Sequence, residues 1–107
     1  MVYFNKQSTT DIDVFVVGLL TWKKHELSVE HVLKYRDDIL IICKQLDSLK
    51  FHFNTQFQIH KRFGEKVHTY RRNKQTHWYI IYNLDPHGNV YIQRIFSNHT
   101  TSENNSF

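Results

Sequence analysis

The sequence predicts an α+β fold in the order β-α-α-β-β-β. An N-terminal strand and a two-helix hairpin pack on an antiparallel sheet that three C-terminal strands complete. Three observations carry this expectation. Residues 78–84 (Trp-Tyr-Ile-Ile-Tyr-Asn-Leu) and 90–96 (Val-Tyr-Ile-Gln-Arg-Ile-Phe) are β-branched and aromatic runs of strand character. Between them, Asp85, Pro86, His87, Gly88 and Asn89 supply turn chemistry, so the two runs form a β-hairpin. Upstream, two segments carry apolar residues at helical spacing.

Taken in order, Val2, Tyr3, Phe4 and Asn5 make a short strand. Thr9 or Thr10 is expected to cap a helix, with Asp11 and Asp13 in its first turn facing the positive end of the dipole. Ile12, Phe15, Val16, Leu19 and Leu20 then form one apolar stripe, and residues 21–27 read as a polar connection. Ser28 is expected to cap a second helix running to about Leu49. Val29, Val32, Leu33, Arg36, Ile39, Leu40, Ile42, Cys43 and Leu46 lie on its inner side. Residues 51–63 have no clean period, but Phe51, Phe53, Phe57, Ile59 and Phe63 make them too apolar for a free linker, so a packed connection is expected. Residues 67–71 are the first of the three C-terminal strands. Residues 1–100 form a single domain, and the Ser-, Glu- and Asn-rich tail at 101–107 is expected to be flexible.

The chain has no alanine, so its helices draw stability from packing more than from propensity. A single cysteine, Cys43, excludes an intrachain disulfide, and its apolar helical setting makes it a buried, inert thiol. No stretch has the length of a membrane span and no secretion signal is evident, so a cytoplasmic protein with no membrane partner is expected. The eight histidines have neither the spacing nor the companions of a metal site, and no metal or cofactor is expected.

Charge is concentrated in one place. Residues 61–74 hold Lys61, Arg62, Lys66, Arg71, Arg72 and Lys74 against one acid, Glu65. That is a local charge of +5 in a chain whose total is +4. Such a segment beside an aromatic hairpin suggests an anionic partner, either a phosphate backbone or an acidic protein segment.

Residues 64–73 (Gly-Glu-Lys-Val-His-Thr-Tyr-Arg-Arg-Asn), 78–82 (Trp-Tyr-Ile-Ile-Tyr) and 91–99 (Tyr-Ile-Gln-Arg-Ile-Phe-Ser-Asn-His) resemble the RelE/ParE superfamily of bacterial toxins, the toxic halves of type II toxin–antitoxin modules, ParE-like plasmid-stabilisation proteins among them. The resemblance implies a small toxin neutralised by a cognate antitoxin, with the possibility of a toxin–antitoxin hetero-oligomer. ParE-like members act on DNA gyrase, whereas RelE-like members cut mRNA on the ribosome without a metal. The target-binding surface would comprise Lys61, Arg62, Lys66, Arg71, Arg72, Lys74 and Arg94. If the chain were a ribonuclease, Arg71, Arg72 and His99 would be its catalytic residues, with Tyr79 or Tyr91 as further candidates for proton transfer. RNA-cutting members place an arginine in the strand corresponding to residues 78–82. This chain has Trp78 and Tyr79 there instead, which favours the ParE-like reading over the endoribonuclease. A nucleic-acid-binding domain without toxicity is a third reading of the same basic segment.

Overall fold

A computed structural model describes residues 1–21 and 28–98. Most of the expected connection at 21–27, the histidine at position 99 and the tail at 101–107 lie outside the described residues. The elements are β1 (Val2–Phe4), α1 (Lys6–Thr21), α2 (Val29–Lys44), β2 (Phe53–Asn54), the short helix α3 (Gln58–Lys61), β3 (Lys66–Arg71), β4 (His77–Leu84) and β5 (Val90–Ser97). A 3-10 turn (Leu46–Ser48) follows α2. The fold is α+β, with two long helices and a five-stranded sheet in the order β1-β5-β4-β3-β2.

The three C-terminal strands pair antiparallel, as expected. The sheet as a whole is mixed, because β1 lies parallel to β5, with Val2 opposite Val90 and Phe4 opposite Ile92. Strands joined by a tight turn must run antiparallel, but β1 and β5 are separated by most of the chain and feel no such constraint. The two-residue β2 adds to the far edge, with Phe53 opposite Val67.

α1 begins earlier than Thr9. Asn5 is its cap, the side-chain Oδ1 accepting the Ser8 N–H at 2.8 Å. Thr9 and Thr10 therefore fall inside the helix and donate their hydroxyls back to the Asn5 and Lys6 carbonyls. Of the α1 stripe, Ile12 is buried and Phe15 and Val16 pack on the core, while Leu20 is exposed. Ser28 caps α2, its hydroxyl accepting the His31 N–H, and the helix gives way to the 3-10 turn well before Leu49. Val32, Ile39, Cys43 and Leu46 of the expected inner face are buried, and Val29 is exposed.

One sheet face meets the helices. Ile12, Ile39, Cys43 and Leu46 pack there against Trp78, Ile80, Tyr82, Val90, Ile92 and Ile95. Burial pushes the Cys43 thiol up to about 12, which makes it inert at neutral pH. In β5 the core positions step from Ile92 to Ile95 because the register shifts after Ile81, leaving Gln93 as an extra residue. The opposite face carries Val67, Thr69, Tyr79, Ile81, Arg94 and Phe96 by strand alternation. The connection at 51–63 crosses this second face, with a distribution unlike the expected one. Phe51, Phe53 and Phe57 are 77%, 70% and 60% exposed, and the buried residues are Thr55 and His60. Thr55 anchors the segment by donating its hydroxyl to the Gly64 carbonyl at 3.0 Å.

The hairpin turn is built as its sequence suggests. Asp85 Oδ1 accepts the His87 and Asn89 amides at 2.9 Å, and Gly88 takes φ +84°. These bonds, the Asn89 side chain foremost, hold the Asp85 carboxyl at about 2.

Candidate functional site

The basic segment does not form one uniform surface. Its cations divide into those the fold consumes and those it leaves open. Arg72, just past β3, turns toward α2. Its Nη1 donates to Asp38 Oδ2 at 2.7 Å and to the Tyr70 hydroxyl at 3.2 Å, while the guanidinium lies 3.7 Å from the Tyr35 ring centroid. Burial works against the charge, but Asp38 and Tyr70 more than offset it and the Arg72 pKa rises; the same contact holds the Asp38 carboxyl below its usual range. Tyr35 in turn accepts the Trp78 indole N–H at 2.9 Å. Arg72 therefore belongs to a network joining α2 to the sheet.

Arg94 is engaged in the same way. Its Nε and Nη2 donate to the two Asp11 oxygens at 2.8 and 2.9 Å, and its guanidinium lies 4.8 and 4.6 Å from the Phe63 and Phe96 ring centroids. Asp11 Oδ2 also accepts the Ile95 N–H at 2.9 Å, so one carboxylate fastens α1 to the strand edge beyond β1. Lys66 donates to Asn54 Oδ1 at 2.6 Å across the β2–β3 pair.

Lys61, Arg62, Arg71 and Lys74 are exposed, and none has an ion-pair partner among the described residues. Lys61 and Arg62 lie at the end of α3, and Arg71 ends β3 on the face carrying Val67 and Thr69. A groove of about 230 Å³ is lined by Phe53, Phe57, His60, Val67, Thr69 and Tyr79; Lys61 directly follows its His60, and Arg71 is two residues beyond its Thr69 on the same face of β3. His60 is its buried floor, with its ring 4.9 Å from that of Tyr79 and 5.3 Å from that of Phe57; burial lowers its pKa. A second, more open concavity of about 480 Å³ is lined by Asn5, Gln7, Arg62, Phe63, Gln93 and Arg94.

The residues named for catalysis are not gathered at one point. Arg71 is open and Arg72 is bound to Asp38, while position 99 lies outside the described residues. Tyr79 borders the groove. Tyr91 is at the other end of the β4–β5 ladder, donating to Asp85 Oδ2 at 3.0 Å and stacking on Tyr3. Among the described residues no three His, Cys, Asp or Glu side chains converge as a metal site would require. The groove was not legible as such in the sequence, because it joins four separate elements. The alternation that places Val67, Thr69 and Tyr79 on one face was its available signal.

No helix among the described residues is long and apolar enough to cross a membrane. No protein-family model, curated protein or solved structure matches the chain.

Proposed function

We propose that this protein is a binding module, a ParE-like toxin of the cytoplasm that arrests growth by docking on DNA gyrase and is neutralised by a cognate antitoxin with an acidic, amphipathic segment. The observation that carries the reading is the groove on the sheet face opposite the two long helices. There the exposed aromatics Phe53 and Phe57 and the half-buried Tyr79 line a groove whose elements α3 and β3 end in the open cations Lys61, Arg62 and Arg71. Aromatic anchors ringed by positive charge suit an acidic protein segment: the rings fill pockets, and the cations steer encounter. The toxin identity and the gyrase target rest on the sequence resemblance; the geometry supports the binding mode.

Metal-free RNA cleavage would require a base for the 2′-hydroxyl, cations on the phosphate and an acid for the leaving oxygen. One of the arginines suited to that task, Arg72, is turned toward α2 and already held by Asp38. This favours protein binding over RelE-like endoribonuclease chemistry.

The test combines controlled expression with two purified assays. Expression should arrest growth, the protein should inhibit gyrase supercoiling, and primer extension in a ribosome-containing reaction should find intact mRNA. Codon-internal cuts that appear only with ribosomes would transfer the protein to the RelE-like class. Undiminished growth on expression of soluble protein would remove the toxin reading.

A further inference from the structure

Between the start of α1 and β5, the 480 Å³ concavity has a composition that the docking groove does not explain. Its size lies in the range of about 300–1,000 Å³ found for small-molecule sites. Two guanidinium groups flank one ring: Arg62 lies 5.9 Å and Arg94 4.8 Å from the Phe63 centroid. Of the two, only Arg94 has a carboxylate partner among the described residues. The single negative charge of Asp11 is matched by Arg94, and Arg62 has no ion-pair partner among the described residues. Arg94 reaches Asp11 through Nε and Nη2, which leaves its Nη1 donors unused there. The exposed Gln7 amide borders the hollow from the first turn of α1, and Asn5 and Gln93 fix its wall by a 3.1 Å bond between their side chains.

We propose that this concavity binds the phosphate of a nucleotide, free or within a strand, with Arg62 and the outer edge of Arg94 as its charged donors and Gln7 as a neutral one. Guanidinium forks match phosphate oxygens in pairs, and donors approaching from separate elements suit a tetrahedral anion better than a planar carboxylate. The volume leaves room for a sugar and base beyond the phosphate. The site shares Arg62 with the proposed docking surface but none of the residues that line the aromatic groove, and its phosphate readout does not depend on the toxin reading.

The experiment is an amide and side-chain NMR titration of the full chain with inorganic phosphate, AMP, GMP, a short oligouridylate and, as control, glutamate. Saturable shifts are expected at Gln7, Arg62, Phe63 and Gln93 with the phosphate-bearing probes. Arg62→Gln, a change at an exposed side chain, should weaken binding at least tenfold and leave the thermal midpoint in place. Mononucleotides that bind as tightly as the oligomer assign the site to free nucleotides, and a tenfold preference for the oligomer assigns it to a strand. The proposal is overturned by three outcomes: no saturable shift, shifts centred instead on Lys61, Lys66 and Lys74, or equal shifts with glutamate. Unchanged affinity in Arg62→Gln overturns it as well.

Discussion

Gly64 is the residue at which a single methyl group has the most to disturb. A Cβ there would lie 2.9 Å from Ile81 Cγ2, 3.2 Å from the Tyr82 carbonyl oxygen and 3.3 Å from Asn83 Oδ1. Ile81 is fully buried and the Tyr82 oxygen is backbone, so neither can swing aside. Asn83 Oδ1 meanwhile accepts the Glu65 amide at 2.9 Å, which pins the chain just after the glycine. Gly64→Ala should therefore destabilise the fold by about 1–3 kcal/mol through overpacking. Urea unfolding would check this, and a midpoint equal to the parent's would show that the connection can lift from the sheet without cost. Gly88 is a glycine for a different reason: its positive φ closes the hairpin, and nothing crowds it.

At the scale of elements, the sequence was most legible where the signal is local. The hairpin, the Ser28 cap and the buried side of α2 each depend on residues within a few positions of one another; the first two formed as expected, and the third did at Val32, Ile39 and Cys43 but not at Val29. The start of α1 was misplaced because Asn5, itself a good cap, sits directly against strand residues. The parallel pairing of β1 and the ion pair of Asp11 with Arg94 join positions more than 80 residues apart and leave no local trace. Segment 51–63 is a packed connection, as its apolar content suggests, but that Thr55 and His60 are its buried residues depends on the sheet face it crosses and not on its composition. His60 gives that segment a pH dependence. Burial among Phe57, Tyr79 and Phe96 lowers its pKa from 6.5, so the folded state favours the neutral ring. In the unfolded chain His60 takes up a proton near 6.5, so its contribution is complete above that pH. It is lost as pH falls from about 6.5 through the lower folded-state value. His68, also lowered by burial, acts in the same direction. Unfolding midpoints should thus fall between pH 7.5 and pH 5, and His60→Phe should flatten part of the drop. An identical slope in that variant would place the effect elsewhere.

For the whole molecule, the distribution of charge matters more than its total. Six cations fall within residues 61–74, but the fold uses Arg72 to bind α2, and from outside the segment it uses Arg94 to bind α1. The surface available to a partner is correspondingly narrower than the sequence suggested: Lys61, Arg62, Arg71 and Lys74, with the aromatic groove at their side. Two classes of variant should therefore separate cleanly. Removing an open group acts on binding, whereas removing a consumed one acts on stability. Arg71→Ala and Phe57→Ser should leave the unfolding free energy within about 0.5 kcal/mol of the parent's, as exposed substitutions do, and should relieve growth arrest. Arg94→Ala should cost about 3 kcal/mol, because it leaves Asp11 half-buried without its countercharge. Any loss of arrest in that variant should track loss of folded protein. Arrest, soluble yield and midpoint measured together distinguish the two classes. Full arrest by Arg71→Ala at parental yield would show that the open cations are a solvated face, and the working surface would then have to be sought among the aromatics alone.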